Sequence, residues 1–119
     1  MASGEHVHHS IDYIEIAVTD VAAAKVFYGA AFGWKFNDYG PEYAGIQGEG
    51  KEVGGFAQRD AVAPGGPLVV LFSHDLEATL AAVRAAGGRI VKEPFDFPGG
   101  RRFEFADPSG NLLGVWATP

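Results

Sequence analysis

One pattern occurs twice in this sequence at the same spacing. Ile14-Glu15-Ile16-Ala17-Val18-Thr19-Asp20 leads into a helical pattern closed by Gly33, and Val69-Val70-Leu71-Phe72-Ser73-His74-Asp75 leads into another closed by Gly88. Placing Asp20 on Asp75 places Gly33 on Gly88 without a gap, 13 residues on in each case. Self-similarity at a fixed spacing marks a repeated supersecondary unit. The chain is 119 residues long, the length of one ordinary domain. Modules of about half that length bury too little surface to be stable alone. The expectation is one domain made of module one at about residues 10–58, a linker at about 59–67 and module two at about 68–117.

Inside each module the periodicities name the elements. Ile14, Ile16 and Val18 alternate with Tyr13, Glu15 and Ala17, the period of a strand, over Ser10–Val18. Asp20 is an N-cap residue, and Val21, Ala24, Phe27, Tyr28, Ala31 and Phe32 follow helical spacing up to Gly33. Strands are then predicted at Trp34–Tyr39, Glu42–Gln47 and Glu52–Gln58, punctuated by Gly40-Pro41 and Gly48-Glu49-Gly50-Lys51. Module two repeats the order. Leu68–Ser73 is its strand, Asp75 its cap, and Leu76, Leu80, Val83 and Ala86 its buried helical stripe. Strands follow at Arg89–Phe97, Arg101–Ala106 and Asn111–Ala117, the last after the turn signal Asp107-Pro108-Ser109-Gly110. The order is β-α-β-β-β, twice, an α+β fold.

Composition removes several classes of function. Nine Lys and Arg stand against fifteen Asp and Glu, a net charge of −6. A phosphate backbone or an anionic membrane surface calls for the opposite sign, so neither nucleic acid nor membrane is an expected partner. There is no cysteine, which excludes disulfides, thiolate nucleophiles and sulfur-ligated metals. The longest apolar run is Leu68–Phe72, and Met1-Ala2-Ser3-Gly4-Glu5 lacks the pattern of a secretory signal, so a cytoplasmic location is expected. Residues 1–9 read as a polar, frayed tail, in which His6, His8 and His9 are alternatively a metal clip.

Two motifs carry a family resemblance. Val18-Thr19-Asp20-Val21 with Phe27-Tyr28 and Phe32-Gly33-Trp34, and Phe105-Ala106-Asp107-Pro108-Ser109-Gly110-Asn111-Leu112, resemble the vicinal oxygen chelate superfamily. That superfamily includes glyoxalase I, extradiol dioxygenases and the bleomycin- and fosfomycin-resistance proteins. The resemblance runs from Ile11 to Trp116. It implies paired βαβββ modules whose curved mixed sheets enclose a cavity, and a homodimer. It also implies a divalent metal held from four strands, at positions that are Tyr13, Gly55, Leu68 and Gly114 in this chain. Glycine and leucine offer no donor, and a neutral phenol is a poor one. The chain therefore reads as a member without the usual metal ligands, and no cofactor is called for.

The chemistry must then come from other groups. Strand parity turns Tyr13, Glu15 and Ala17 away from the helix, so Glu15 is a candidate general base and Tyr13 a candidate oxyanion donor or lining residue. Leu68, Val70 and Phe72 share that parity by the repeat, and Gly114 and Trp116 share it on the last strand. Gly55 and Gly114 leave room for a flat ligand against bare backbone, Gln58 stands at the rim, and Arg102 could clamp an anionic group. Two functions from different classes remain open. One is metal-free lyase or isomerase chemistry on a small carbonyl-containing or aromatic compound, with Glu15 as base. The other is non-catalytic sequestration of an aromatic compound in the manner of the bleomycin-resistance proteins. A weaker third is a metal enzyme with unorthodox ligands such as Glu15 and Gln58.

Overall fold

The computed structural model describes residues 6–119. The chain forms two compact units, one of Tyr13–Pro67 and one of His6–Asp12 with Leu68–Pro119. In chain order the elements are β1 (Ile11–Val18), α1 (Val21–Phe32), β2 (Phe36–Asp38), β3 (Tyr43–Gln47), β4 (Glu52–Gln58), β5 (Leu68–Phe72), α2 (Leu76–Ala85), β6 (Arg89–Phe97), β7 (Gly100–Ala106) and β8 (Leu112–Ala117). The doubled β-α-β-β-β order is present, and the fold is α+β.

In the first unit the strands lie in the order β2-β3-β4-β1. β1 runs parallel to β4, and the other neighbours are antiparallel. One face is covered by α1. Val21, Ala44, Ile46 and Phe56 form its core, with Ile16, Val18, Ala24, Tyr28 and Phe36 packed around them. The Asp20 carboxylate caps α1 by accepting from Ala23 N at 3.0 Å, and Gly33 ends it in the left-handed region with φ 73°. The predicted stripe is corrected at Phe27 and Phe32, which stay 59% and 64% exposed. Phe27 is six residues beyond Val21, about 240° around the helix at 100° per residue, so it cannot share the face of Val21.

In the second unit the order is β5-β8-β7-β6, with β5 parallel to β8 and the rest antiparallel. α2 covers one face through Leu76 and Leu80, which join Phe103, Val115 and Ala117 in the core, with Leu71, Val83, Ile90 and Phe105 against it. Asp75 caps α2 by accepting from Ala78 N at 3.1 Å. The helix ends earlier than the repeat predicts. Ala86 is its C-cap and is exposed, and Gly87, not Gly88, takes the positive φ of 98°. Gly88 has a packing reason instead, because a Cβ there would stand 2.6 Å from Val83 Cγ1. The Asp107 turn closes as predicted. Its carboxylate accepts from Ser109 N and Asn111 N, and the Asn111 contacts hold its pKa below the usual range.

The histidines near the start are not frayed. Segment 6–12 is tied to β5 by His9 N to Phe72 O at 2.7 Å and Phe72 N to Ser10 O at 3.1 Å. His9 Nε2 lies 2.9 Å from Thr79 Oγ1, and His8 Nδ1 accepts from His74 N at 2.9 Å. Backbone hydrogen bonds to β5, and histidine side-chain bonds to Thr79 of α2 and the His74 amide, hold this segment, and no apolar periodicity announces them. Residues 1–5, the rest of the predicted tail, lie outside the described residues.

Candidate functional site

The helix-free face of the first unit is lined by polar groups set on glycine. Strand register puts Asn37, Gly45, Gly55 and Glu15 in one row across β2, β3, β4 and β1. Tyr13 and Tyr43 stand on the same face, two residues from that row. A bulge adds one more group. Ile46 pairs with Gly54 but Gln47 pairs with Glu52, so Val53 is an extra residue and Glu52 turns to the Tyr13 side.

These side chains form one hydrogen-bonded chain. The Tyr13 and Tyr43 hydroxyls are 2.6 Å apart. Tyr43 donates to Glu15 Oε2 at 3.3 Å, and Tyr13 donates to Glu52 Oε2 at 3.1 Å. Glu52 Oε1 also accepts from Tyr39 at 2.8 Å and from Asn37 Nδ2 at 3.0 Å. Arg59 Nη2 stands 3.8 Å from Glu15 Oε1. Two hydroxyl protons must serve three oxygen-to-oxygen contacts between two carboxylates. The shortest contact is satisfied when Tyr13 donates to Tyr43 and Tyr43 to Glu15, which leaves Glu52 to Tyr39 and Asn37. The opposite arrangement sends the Tyr13 proton to Glu52. The pair can thus present its donors in two ways at no change of position.

Both phenols stay neutral. Burial pushes Tyr13 well above the ordinary tyrosine range, reinforced by its bond to Tyr43 and by Glu52. Burial likewise raises Tyr43, with Glu15 and Glu52 adding to the effect while the bond from Tyr13 opposes it. The face therefore offers neutral hydroxyl donors beside a carboxylate whose side chain is only 14% exposed.

The sequence-predicted residues fall into two groups. Tyr13, Glu15 and Gly55 come together in the first unit, although the space over Gly55 is filled: a Cβ there would stand 2.2 Å from the Tyr43 hydroxyl and 2.6 Å from that of Tyr13. Gln58 lies elsewhere, on the helix side, where its Oε1 accepts from Val21 N at 3.2 Å and helps cap α1. It shares no face with Glu15. Leu68, Val70, Phe72, Gly114, Trp116 and Arg102 come together on the helix-free face of the second unit. Val70 pairs with Gly114, Phe72 with Trp116, and Trp116 with Arg102. Arg102 is paired with Glu104 at 3.1 Å and lies 5.3 Å from the Phe95 ring centroid. Arg101 is drawn to Asp96 and Glu77 instead.

Residues 10–115 match the family described as the Glyoxalase/Bleomycin resistance protein/Dioxygenase superfamily. The chain belongs to that superfamily. The Mycobacterium bovis protein CFP32, which carries the name of a glyoxylase, is 29% identical over 115 residues, 88% of this chain and 44% of its own. The anthracycline biosynthesis protein DauV of Streptomyces sp. strain C5 is 32% identical over 117 residues, 85% of this chain and 38% of its own. The chain thus spans less than half the length of these curated relatives. Among solved structures, the Mn(II)-bound glyoxalase from Novosphingobium aromaticivorans superposes with a TM-score of 0.68 at 25% identity, covering 94% of this chain and 39% of that one. Methylmalonyl-CoA epimerase from Mycobacterium tuberculosis gives a TM-score of 0.72 at 18% identity over 100% and 93% of the two chains, a likeness of fold.

The superfamily's metal can be tested against the residues present. Tyr13 is a neutral phenol already bonded to Tyr43 and Glu52, and hydroxyls fill the space over Gly55. Leu68 has no donor, and Gly114 has no side chain, its nearest surroundings being Val70, the Phe103 carbonyl and Leu68. These four positions do not fit a divalent ion. Among the described residues, no three His, Asp or Glu side chains converge as a metal would require. Sequence reasoning missed Tyr43, Glu52, Tyr39 and Asn37. The facing glycines Gly45 and Gly55 were the available signal, but the bulge that redirects Glu52 leaves no trace in strand parity.

Proposed function

We propose that this glyoxalase-superfamily chain binds a small carbonyl-containing or aromatic compound on the helix-free face of its first unit and moves a proton on it without a metal. The observation that carries the reading is Glu15, a largely buried carboxylate bonded by a neutral tyrosine hydroxyl and flanked by Arg59. Glu15 takes a proton from carbon next to the carbonyl. The C–H electron pair moves into the carbon–carbon bond and charge develops on oxygen. Tyr43 turns its donor from Glu15 to that oxygen, and Tyr13 holds Tyr43 in place. Return of the proton at another atom completes an isomerisation, and loss of a neighbouring group completes a lyase reaction.

A second reading is sequestration of a planar oxygenated aromatic compound. The relative named for anthracycline biosynthesis supports it. A thermal-shift screen against small aldehydes, glutathione adducts, phenols and planar antibiotics ranks ligands for both readings. Glu15→Gln then separates them on the best ligand: turnover lost by roughly a hundredfold or more with binding kept supports catalysis. Binding without turnover in the parent protein supports sequestration. We also infer a homodimer, as the superfamily resemblance implies. Its support is the exposed apolar surface of α1, which a two-fold axis would bury against its own copy.

A further inference from the structure

The segment His6–Asp12 brings to the second unit an acid–base group that takes no part in the Glu15 network. The Asp12 side chain is only 3% exposed, and both of its oxygens are engaged. Oδ1 lies 2.8 Å from His6 Nδ1, and Oδ2 accepts from Trp116 Nε1 at 2.9 Å. An indole nitrogen is solely a donor, so Trp116 fixes how the carboxylate is turned. A carboxylate is an acceptor, so His6 Nδ1 carries the hydrogen, and the tautomer this selects has its lone pair on Nε2. A carboxylate holding one imidazole tautomer is the means by which a histidine is kept ready as a base.

The ring is fixed by more than this bond. It stacks on Phe72 with centroids 5.0 Å apart and 25° between planes, and meets Trp116 edge-on at 4.9 Å and 87°. Its Nδ1 edge is turned to a buried group. The His6 side chain keeps 30% of its surface exposed, whereas its Asp12 partner keeps 3%. Pinning one short segment does not require a buried carboxylate, since its desolvation is costly and an apolar pair would serve as well.

We propose that His6 is a catalytic base positioned by Asp12, acting on an aryl-substituted ketone or aldehyde with a C–H beside its carbonyl. The substrate class follows from the surroundings. Phe72 is buried beneath the His6 ring, and the half-buried Trp116 beside it heads a register row that continues through Arg102 to the half-buried Phe95, so flat rings adjoin the base. His6 Nε2 takes the proton from carbon. The C–H pair becomes the enolate double bond, the carbonyl π pair moves to oxygen, and the imidazolium returns a proton to the same carbon. In D2O the net result is exchange of hydrogen for deuterium, with no oxidant or further reactant.

The test uses phenylacetone in D2O with the full chain, following loss of the benzylic proton signal by NMR. The expectation is exchange above the buffer rate for the parent protein, reduced on the order of 100-fold in His6→Gln. Asp12→Asn should lower exchange as well. Because that variant also disturbs a buried contact, 15N NMR of the parent His6 supplies a second measurement, expected to show hydrogen on Nδ1 and none on Nε2. The proposal is overturned by exchange no faster than buffer, by exchange that survives His6→Gln, or by a ring with its hydrogen on Nε2. Loss of exchange in Glu15→Gln with retention in His6→Gln would assign the activity to the first unit and overturn it too, so the two sites fail separately.

Discussion

Gly54 and Gly114 look alike in the sequence, both glycines inside strands, and the structure separates them. A Cβ on Gly54 would stand 2.3 Å from the Ile14 carbonyl oxygen, which is backbone and cannot swing away. On Gly114 the nearest atoms are at 3.6–3.8 Å, ordinary contact. Gly54→Ala should therefore cost about 1–3 kcal/mol in a denaturant titration, whereas Gly114→Ala should be neutral or gain up to about 1 kcal/mol through the unfolded chain. Equal losses from the two changes would refute the distinction. The tyrosine pair makes a second prediction, in pH. Phenols whose folded pKa is raised bind their protons more tightly when folded, so that stability is complete below the ordinary value of 10.0 and is lost as pH rises beyond it. Tyr13→Phe should flatten the alkaline fall in melting temperature seen in the parent protein. Parity on β1 made Tyr13 and Glu15 legible from sequence, because one strand with a buried apolar face fixes its opposite face. Glu52 was not legible, since one bulged residue reverses which way it points.

Helix starts were readable for a physical reason: an aspartate accepting from the first-turn amides is a local interaction, and Asp20 and Asp75 each make it with the residue three positions on. Asp20→Ala should lower stability by about 1 kcal/mol, and by less than Asp75→Ala if the Gln58 bond to Val21 N partly replaces the cap. Chemical denaturation of both variants, with and without Gln58→Ala, reads this directly. Helix ends were less readable. Two adjacent glycines, Gly87 and Gly88, could each have ended α2, and the repeat pointed to the second. The left-handed backbone at Gly87 makes the choice measurable. Gly87→Ala should cost about 1–2 kcal/mol because an L side chain is strained there. A harmless Gly87→Ala would mean that the helix can end at Gly88 after all.

Across the molecule, the repeat carried the architecture because each βαβββ unit buries one sheet face under one helix, and that alternation is written in periods of two and 3.6. It did not carry what happens outside the covered face. Helix α1 has only Lys25 as a charged residue, so its apolar side chains exceed what one sheet can cover. Val26, Phe27 and Phe32 remain 72%, 59% and 64% exposed, and Phe27 and Phe32 lie within 6.5 Å of each other as one aromatic cluster with Tyr28. Contiguous exposed apolar surface of this kind is rare on a monomer and common at an interface. A two-fold pair would set the cluster against itself, with each copy supplying both halves of the contact. Sedimentation equilibrium should then report 25.2 kDa, twice the 12.6 kDa of one chain. Replacing Phe27 and Phe32 together by serine removes apolar area that already faces solvent in the single chain. The change should leave the melting temperature of the monomer nearly unaltered while shifting the measured mass to 12.6 kDa. A parent protein of single-chain mass at micromolar concentration would sink the pairing, and a double variant that stays at twice that mass would place the contact away from α1.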